Sequence, residues 1–195
     1  MRKAIIYLAT FILAVFFIQS SEACTIIVVG KEASKDGSVI ISHTDCGADS
    51  RIRVIPGKRF AEDAMAPVHW GIQRVDLPLD DFGEVIGRIP QAEETYTYIH
   101  SAYPHINEHQ LAIGESTMSM RDELKFKREN GEQIMTVEQA QAFALQRFKK
   151  AENAVRFIGK LMEKYGFLPS CIGESESLVI ADEDEAWIFE VLGVG

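Results

Sequence analysis

The first 24 residues constrain the rest of the chain more than any other stretch. Met1-Arg2-Lys3 is a short basic start, Ala4 to Ile18 runs apolar without a charge, and Gln19-Ser20-Ser21-Glu22-Ala23 ends small and polar. A spanning helix needs about 20 apolar residues, and this run is shorter. Basic start, apolar middle and a Ser21-x-Ala23 end read as a secretory leader cut after Ala23, with an uncleaved anchor as the alternative. Residues 1–23 are therefore expected to be a signal peptide and residues 24–195 an exported globular part, periplasmic or extracellular. No membrane partner is expected once the leader is gone. The cut would leave Cys24 as the first residue of the mature protein.

Three readings of Cys24 follow. It can be a bystander that happens to follow a cleavage site. It can be the lipidated first residue of a bacterial lipoprotein, although Ser21 and Glu22 fit poorly where such leaders carry an aliphatic and a small residue. It can also be an N-terminal nucleophile. A cysteine at the chain start has a thiol and a free α-amine on one residue, and that amine has a pKa of about 7.7–8.0. The amine can take the thiol proton, directly or through a water, so nucleophile and base arrive together without a histidine.

What comes after Cys24 builds a scaffold for it. Thr25-Ile26-Ile27-Val28-Val29 is a β-branched run that fits a buried strand, closed by Gly30. Lys35-Asp36-Gly37 supplies a turn and Ser38 to Ser42 the return strand, so residues 24–42 predict a hairpin. That hairpin puts Cys24 at a strand start and His43-Thr44-Asp45-Cys46 near the same edge. The chain is 47% hydrophobic and 25% charged over 195 residues, within the range of one globular domain. Its net charge of −9 argues against nucleic acid or anionic lipid as the main partner.

Further along, Arg51 to Ile55 reads as a short half-buried strand. The proline-bearing stretch Ala61 to Gln91 reads as long connecting loops. Strands are expected at Tyr96–Tyr98 and Leu111–Ile113, with Asn107-Glu108 able to form the turn between them. Thr136 with Gln139 forms a capping box. The stripe Val137, Ala140, Ala144, Phe148, Ala151, Val155, Ile158 and Met162 predicts one long helix or two in series, closed by Gly166. Leu178–Ala181 and Ala186–Val191 form a second hairpin around Asp182 to Glu185. His100, His105 and His109 lack metal-ligand spacing, so no metal and no cofactor is expected. Cys46 and Cys171 can pair in an oxidising compartment or remain buried thiols. Trp70 and Trp187 read as packing residues. Strands, helices and strands again predict an α+β domain.

The segment Cys24 through Ser38, read as Cys-Thr-x-x-x-Val-Gly-Lys-x-Ala-Ser-x-Asp-Gly-Ser, resembles the opening of the dipeptidase A and secernin-like family. The likeness continues in Ser42-His43-Thr44 and in Asn107-Glu108-His109-Gln110 before Leu111 to Thr117. It is found again in Gly173-Glu174-Ser175, Ile180-Ala181-Asp182 and Glu185-Ala186-Trp187. That family belongs to the N-terminal-nucleophile hydrolases, related to bile salt hydrolases, penicillin V acylases and acid ceramidase.

The resemblance implies a four-layer αββα sandwich and a cysteine-type hydrolase acting on dipeptides or short peptides. The alternatives are an N-acyl amide substrate, or a lipid-anchored surface protein without catalysis. It implies Cys24 as nucleophile and Asn107 as oxyanion donor, a position where a fixed amide can contribute about 2.7–4 kcal/mol. Related acylases place an Arg and an Asp at the end of the second strand. Here His43 stands at the Arg-like place, as a candidate substrate-binding residue. Asp45 falls one position before the expected Asp, where Cys46 stands, and Asp45 is the candidate acceptor for the Cys24 α-ammonium. Family members are usually much longer, so the chain, which stops just after a strand, is expected to be incomplete at its C-terminus. Oligomeric state is open.

Overall fold

The computed structural model describes residues 24–44, 51–70, 81–125, 131–169 and 175–193. Residues 1–23, where a leader is expected, and Asp45, Cys46, Cys171, Gly173 and Glu174 lie outside the described residues. The fold is mixed α+β and mostly antiparallel. Its strands are β1 (Thr25–Val29), β2 (Ile40–Thr44), β3 (Arg53–Ile55), β4 (Met65–Trp70), β5 (Glu84–Pro90), β6 (Tyr98–His100), β7 (Pro104–Asn107), β8 (Ala112–Met118), β9 (Ser175–Ala181) and β10 (Ala186–Val191). Between β8 and β9 come a short 3-10 turn at Asp122–Leu124 and two helices, α1 (Val137–Arg147) and α2 (Ala151–Tyr165).

Six strands form one antiparallel sheet in the order β10-β9-β8-β7-β6-β3, while β1–β2 and β4–β5 are two-stranded ribbons. Directly paired residues share a face, so the register divides the large sheet into two sides. One side carries Ile113, Leu178 and Ile180 into a core with Ala140, Leu145, Ala154 and Ile158 of the helices. The other carries Ala112, Gly114, Val179 and Ala181, small or branched residues, and there the β1–β2 hairpin lies against β8 and β9. A β-carbon added to Gly114 would stand 3.2 Å from the His43 ring and 3.0 Å from Val179, so glycine is what lets the hairpin come this close.

The helix stripe resolves into two helices. Phe148 leaves the helix with φ −123° and ψ 153°, and Lys150 precedes α2 without a side-chain cap of its own. The cap comes from Asp182, whose carboxylate accepts from the Ala151 amide at 2.8 Å. The capping box at α1 is half formed. Thr136 accepts from the Gln139 amide at 3.4 Å, but the Gln139 side chain instead accepts from the His69 amide at 2.9 Å. The glutamine ties β4 to the helix rather than closing the box.

The stretch from Ala61 to Gln91 is not all loop: it contains the β4–β5 ribbon, with Pro67 opposite Arg88 and Pro90 opposite Met65. A two-stranded ribbon has two outer edges that need no amide donor, so it accepts prolines that a central strand would reject. The first hairpin forms as expected, with Thr25 opposite Thr44 and a connection over residues 30–39 that turns at Gly37, φ 77°. It is less buried than its composition suggests, since Ile27 is 56% exposed and Ile40 is also open. Among the described residues no helix is long and apolar enough to cross a membrane.

Candidate active site

Cys24 heads β1 as a half-buried free thiol. The strand is pinned immediately after it, because the Thr25 amide donates to Thr44 Oγ1 at 3.0 Å. Two residues on, Ile26 pairs with His43. Residues alternate along a strand, so Cys24, Ile26 and His43 belong to the face turned toward the large sheet. Diagonal neighbours of this kind sit about 7–8 Å apart.

His43 reaches across to the sheet. β7 pairs with β8 only at Ile106↔Ala112 among the described residues, which leaves the backbone of Glu115 without a strand neighbour on that side. His43 fills the place: its Nδ1 lies 3.1 Å from the Glu115 carbonyl oxygen and 3.2 Å from the Glu115 amide nitrogen. Its Nε2 lies 3.4 Å from Nδ1 of His105, and His105 Nε2 lies 2.5 Å from Ser101 Oγ. The two rings are 5.4 Å apart, tilted by 58°. Burial, and then the nearby His43, hold the His105 imidazole below its usual pKa. Both ring nitrogens of His43 thus face protein groups.

Asn107 closes β7 on the helix side of the sheet. Its amide donates to the carbonyls of Leu145 and Phe148, both at 2.8 Å, at the joint where α1 ends. Its carbonyl accepts from the amides of His109 at 3.0 Å and Leu111 at 3.1 Å. The turn it builds includes Gln110 with φ 66°. All of its hydrogen-bonding capacity on the donor side is committed, so the turn reading of Asn107-Glu108 is the one realised locally. Service at an oxyanion requires one hydrogen to leave Leu145 or Phe148 and the side chain to leave the helix side, since the Cys24 hairpin lies on the sheet's other face. Asp45, the remaining candidate, lies outside the described residues; its neighbour Thr44 stands opposite Thr25, the neighbour of Cys24.

Two glutamates escape a sequence reading. Glu115 and Glu176 are fully buried on the helix side, with buried Glu138 of α1 nearby. Burial, and then the Glu115 carboxyl bonded to it, push Glu176 far above the usual carboxylate range. A proton kept on Glu176 removes the like-charge repulsion between the two. Strand alternation puts Glu176 in step with Leu178 and Ile180, which is the only hint the sequence offers.

Among the described residues, hollows of about 350, 320 and 250 Å³ lie elsewhere. The first is bounded by Arg147, Phe157 and Tyr165, the second by Ile86, Glu132 and Ile134, the third by His69, Phe82, Tyr98 and Gln139, and none of these is lined by Cys24. The turn Asp182-Glu183-Asp184 groups three carboxylates, but Lys150 and Lys31 already bind two of them and Asp182 caps α2.

Residues 23–195 match the model of peptidase family C69, and the chain belongs to that family. This agrees with the resemblance carried by the motifs. The chain is also 26% identical over 182 residues to a protein described as probable dipeptidase B from Lactococcus lactis subsp. lactis (strain IL1403). The match covers 88% of this chain and 35% of that relative, so the chain spans about a third of the relative's length.

Proposed function

We propose that the chain is the N-terminal part of an exported cysteine-type dipeptidase that works as an N-terminal-nucleophile amidohydrolase. The observation carrying this reading is Cys24: a free thiol at the head of β1, directly after a leader-like segment, in a chain of peptidase family C69. Removal of residues 1–23 frees the α-amine. The amine takes the thiol proton, the sulfur attacks the peptide carbonyl carbon, and a thioester forms as the C–N bond breaks. The α-ammonium returns that proton to the leaving amine, and water then releases the acyl group. Asp45 is assigned the ammonium. Asn107 is assigned the oxyanion, which requires its amide to leave the α1 joint and turn from the helix side to the face that holds the Cys24 hairpin. Dipeptides or short peptides are the substrates, and the complete protein is a four-layer αββα sandwich.

Replacing Cys24 by Ala in the complete protein is expected to abolish dipeptide hydrolysis. Hydrolysis retained in that variant overturns the mechanism. Intact mass and N-terminal sequencing of the exported protein add an independent check, since a free Cys24 at the mature start is required. Acyl chains on Cys24 would block amine and thiol together and leave a lipid-anchored protein instead. Faster turnover of an N-acyl amide than of a dipeptide would move the substrate class while keeping the machinery.

A further inference from the structure

We propose that His43, His105 and Ser101 form a latch that fixes the Cys24 hairpin to the open edge of β8, and that the latch releases when both imidazoles become charged. In this reading His105 and Ser101 are positioning residues that act through His43. The inference rests on Cys24 being the nucleophile only for its catalytic consequence; the latch itself is a matter of geometry.

The bonding set explains why one added proton is tolerated and two are not. Glu115 offers His43 Nδ1 both an acceptor and a donor, at 3.1 and 3.2 Å. With a proton on Nδ1, His43 donates to the Glu115 carbonyl and its Nε2 accepts from His105 Nδ1. With the proton on Nε2, His43 accepts from the Glu115 amide and donates to His105. In that state His105 turns its own N–H toward Ser101, whose hydroxyl can either donate or accept. A singly charged His43 donates at both nitrogens to the same partners. In every state with a neutral His105, each nitrogen of both rings therefore has a partner without movement. When His105 also gains a proton, two N–H groups point at one another between Nε2 and Nδ1, and two like charges sit on rings 5.4 Å apart.

The surroundings deepen this limit. Arg53 of β3 donates to the Ser101 carbonyl at 3.1 Å and brings a fixed positive charge to the outer end of the chain. His100 of β6 is buried one residue away. Glu115 of β8 meets His43 through its backbone, while its carboxyl lies on the helix side with Glu176 and Glu138. Among the described residues, Cys24 at the head of β1 is the remaining titratable group on the hairpin's inner face. Since His105 sits below its unfolded value, the folded latch binds fewer protons than the opened one. Stability of the latch is therefore present above the unfolded pKa and is lost as pH falls through the window beneath it.

The test is hydrogen exchange in residues 25–29 and 40–44 of the full chain between pH 5 and 7.5, corrected for intrinsic exchange. Protection in the wild type is expected to fall by up to ~10-fold per pH unit below the histidine range, the limit for one linked proton. His105→Asn keeps an amide that can bond His43 but cannot be charged, so it should hold protection nearly constant with pH. His105→Ala should lower protection at every pH, and Ser101→Ala should do so more weakly. Equal pH dependence in the wild type and His105→Asn, or none in the wild type, overturns the latch. These readouts do not involve turnover, so loss of the latch and loss of the Cys24 mechanism are told apart. If both hold, kcat/KM for a dipeptide should share the acid limb of the exchange profile, and His105→Asn should flatten it.

Discussion

The two faces of the six-stranded sheet contrast sharply. On the helix side Leu178 and Ile180 are fully covered and the core is continuous into α1 and α2. On the hairpin side Val54 is 66% exposed and Ile188 65%, the latter although it stands directly opposite buried Val179. The closed face holds the fold together, yet it contains the buried acids Glu115 and Glu176. The open face is lined with small residues and receives the hairpin that bears Cys24. Stability is thus assigned to one side of the sheet and the hairpin with Cys24 and His43 to the other, with Asn107 standing on the closed side, and substitutions should report the division.

The largest effect is expected from Leu178→Ala, which should cost about 2–5 kcal/mol through lost burial and a cavity, read as a drop in thermal or denaturant midpoint. Asn107→Ala should follow at about 3 kcal/mol, because it strands two carbonyls and two amides in a buried turn. Measuring stability beside kcat separates turn-building from oxyanion service: a pure turn residue lowers stability and leaves kcat of the folded fraction intact. Glu176→Gln tests the acid pair. Its folded pKa lies above the unfolded value, so wild-type stability is greatest below the unfolded pKa and declines as pH rises. The decline can reach about 1.4 kcal/mol per pH unit, and Glu176→Gln should remove it across a pH-dependent denaturation series. The smallest effect belongs to the open face, where Ile188→Ser should stay within about 0.5 kcal/mol. A cost from Ile188→Ser approaching that of Leu178→Ala would erase the contrast between the faces.

Features governed by local spacing are legible in the amino-acid order. The β-branched run and its return strand, the three-four stripe of the helices and the C-terminal hairpin all follow from periodicity. What escapes depends on distant partners. The helix break at Phe148 leaves the apolar stripe unbroken, and its cap arrives from Asp182, 31 residues away. The β4–β5 ribbon is hidden by Pro67 and Pro90, whose presence argues for loops wherever the edges are not known to be open. In the candidate site Cys24 announces itself through its place after a leader-like segment. His43 does not announce His105, because the two are 62 residues apart and meet only when β7 parts from β8. Glu176 looks like a solvent-facing residue until Leu178 and Ile180 on the same face are seen to be buried.

The hairpin's far end is fastened by Lys31 to Asp184 at 2.6 Å, across 153 residues of sequence. In a chain made from its N-terminus, β1 and β2 can pair early, but β8, on which they chiefly dock, comes about 70 residues later, and β9 with this ionic tether more than a hundred. At about 5–20 residues per second the hairpin waits roughly 4–15 s for β8 and roughly 7–30 s for its tether, with Ile27 and Ile40 open to other chains. Time, rather than sequence pattern, is what this arrangement asks the cell to manage: the segment bearing the proposed nucleophile emerges early and is fully fastened only when the last strands arrive.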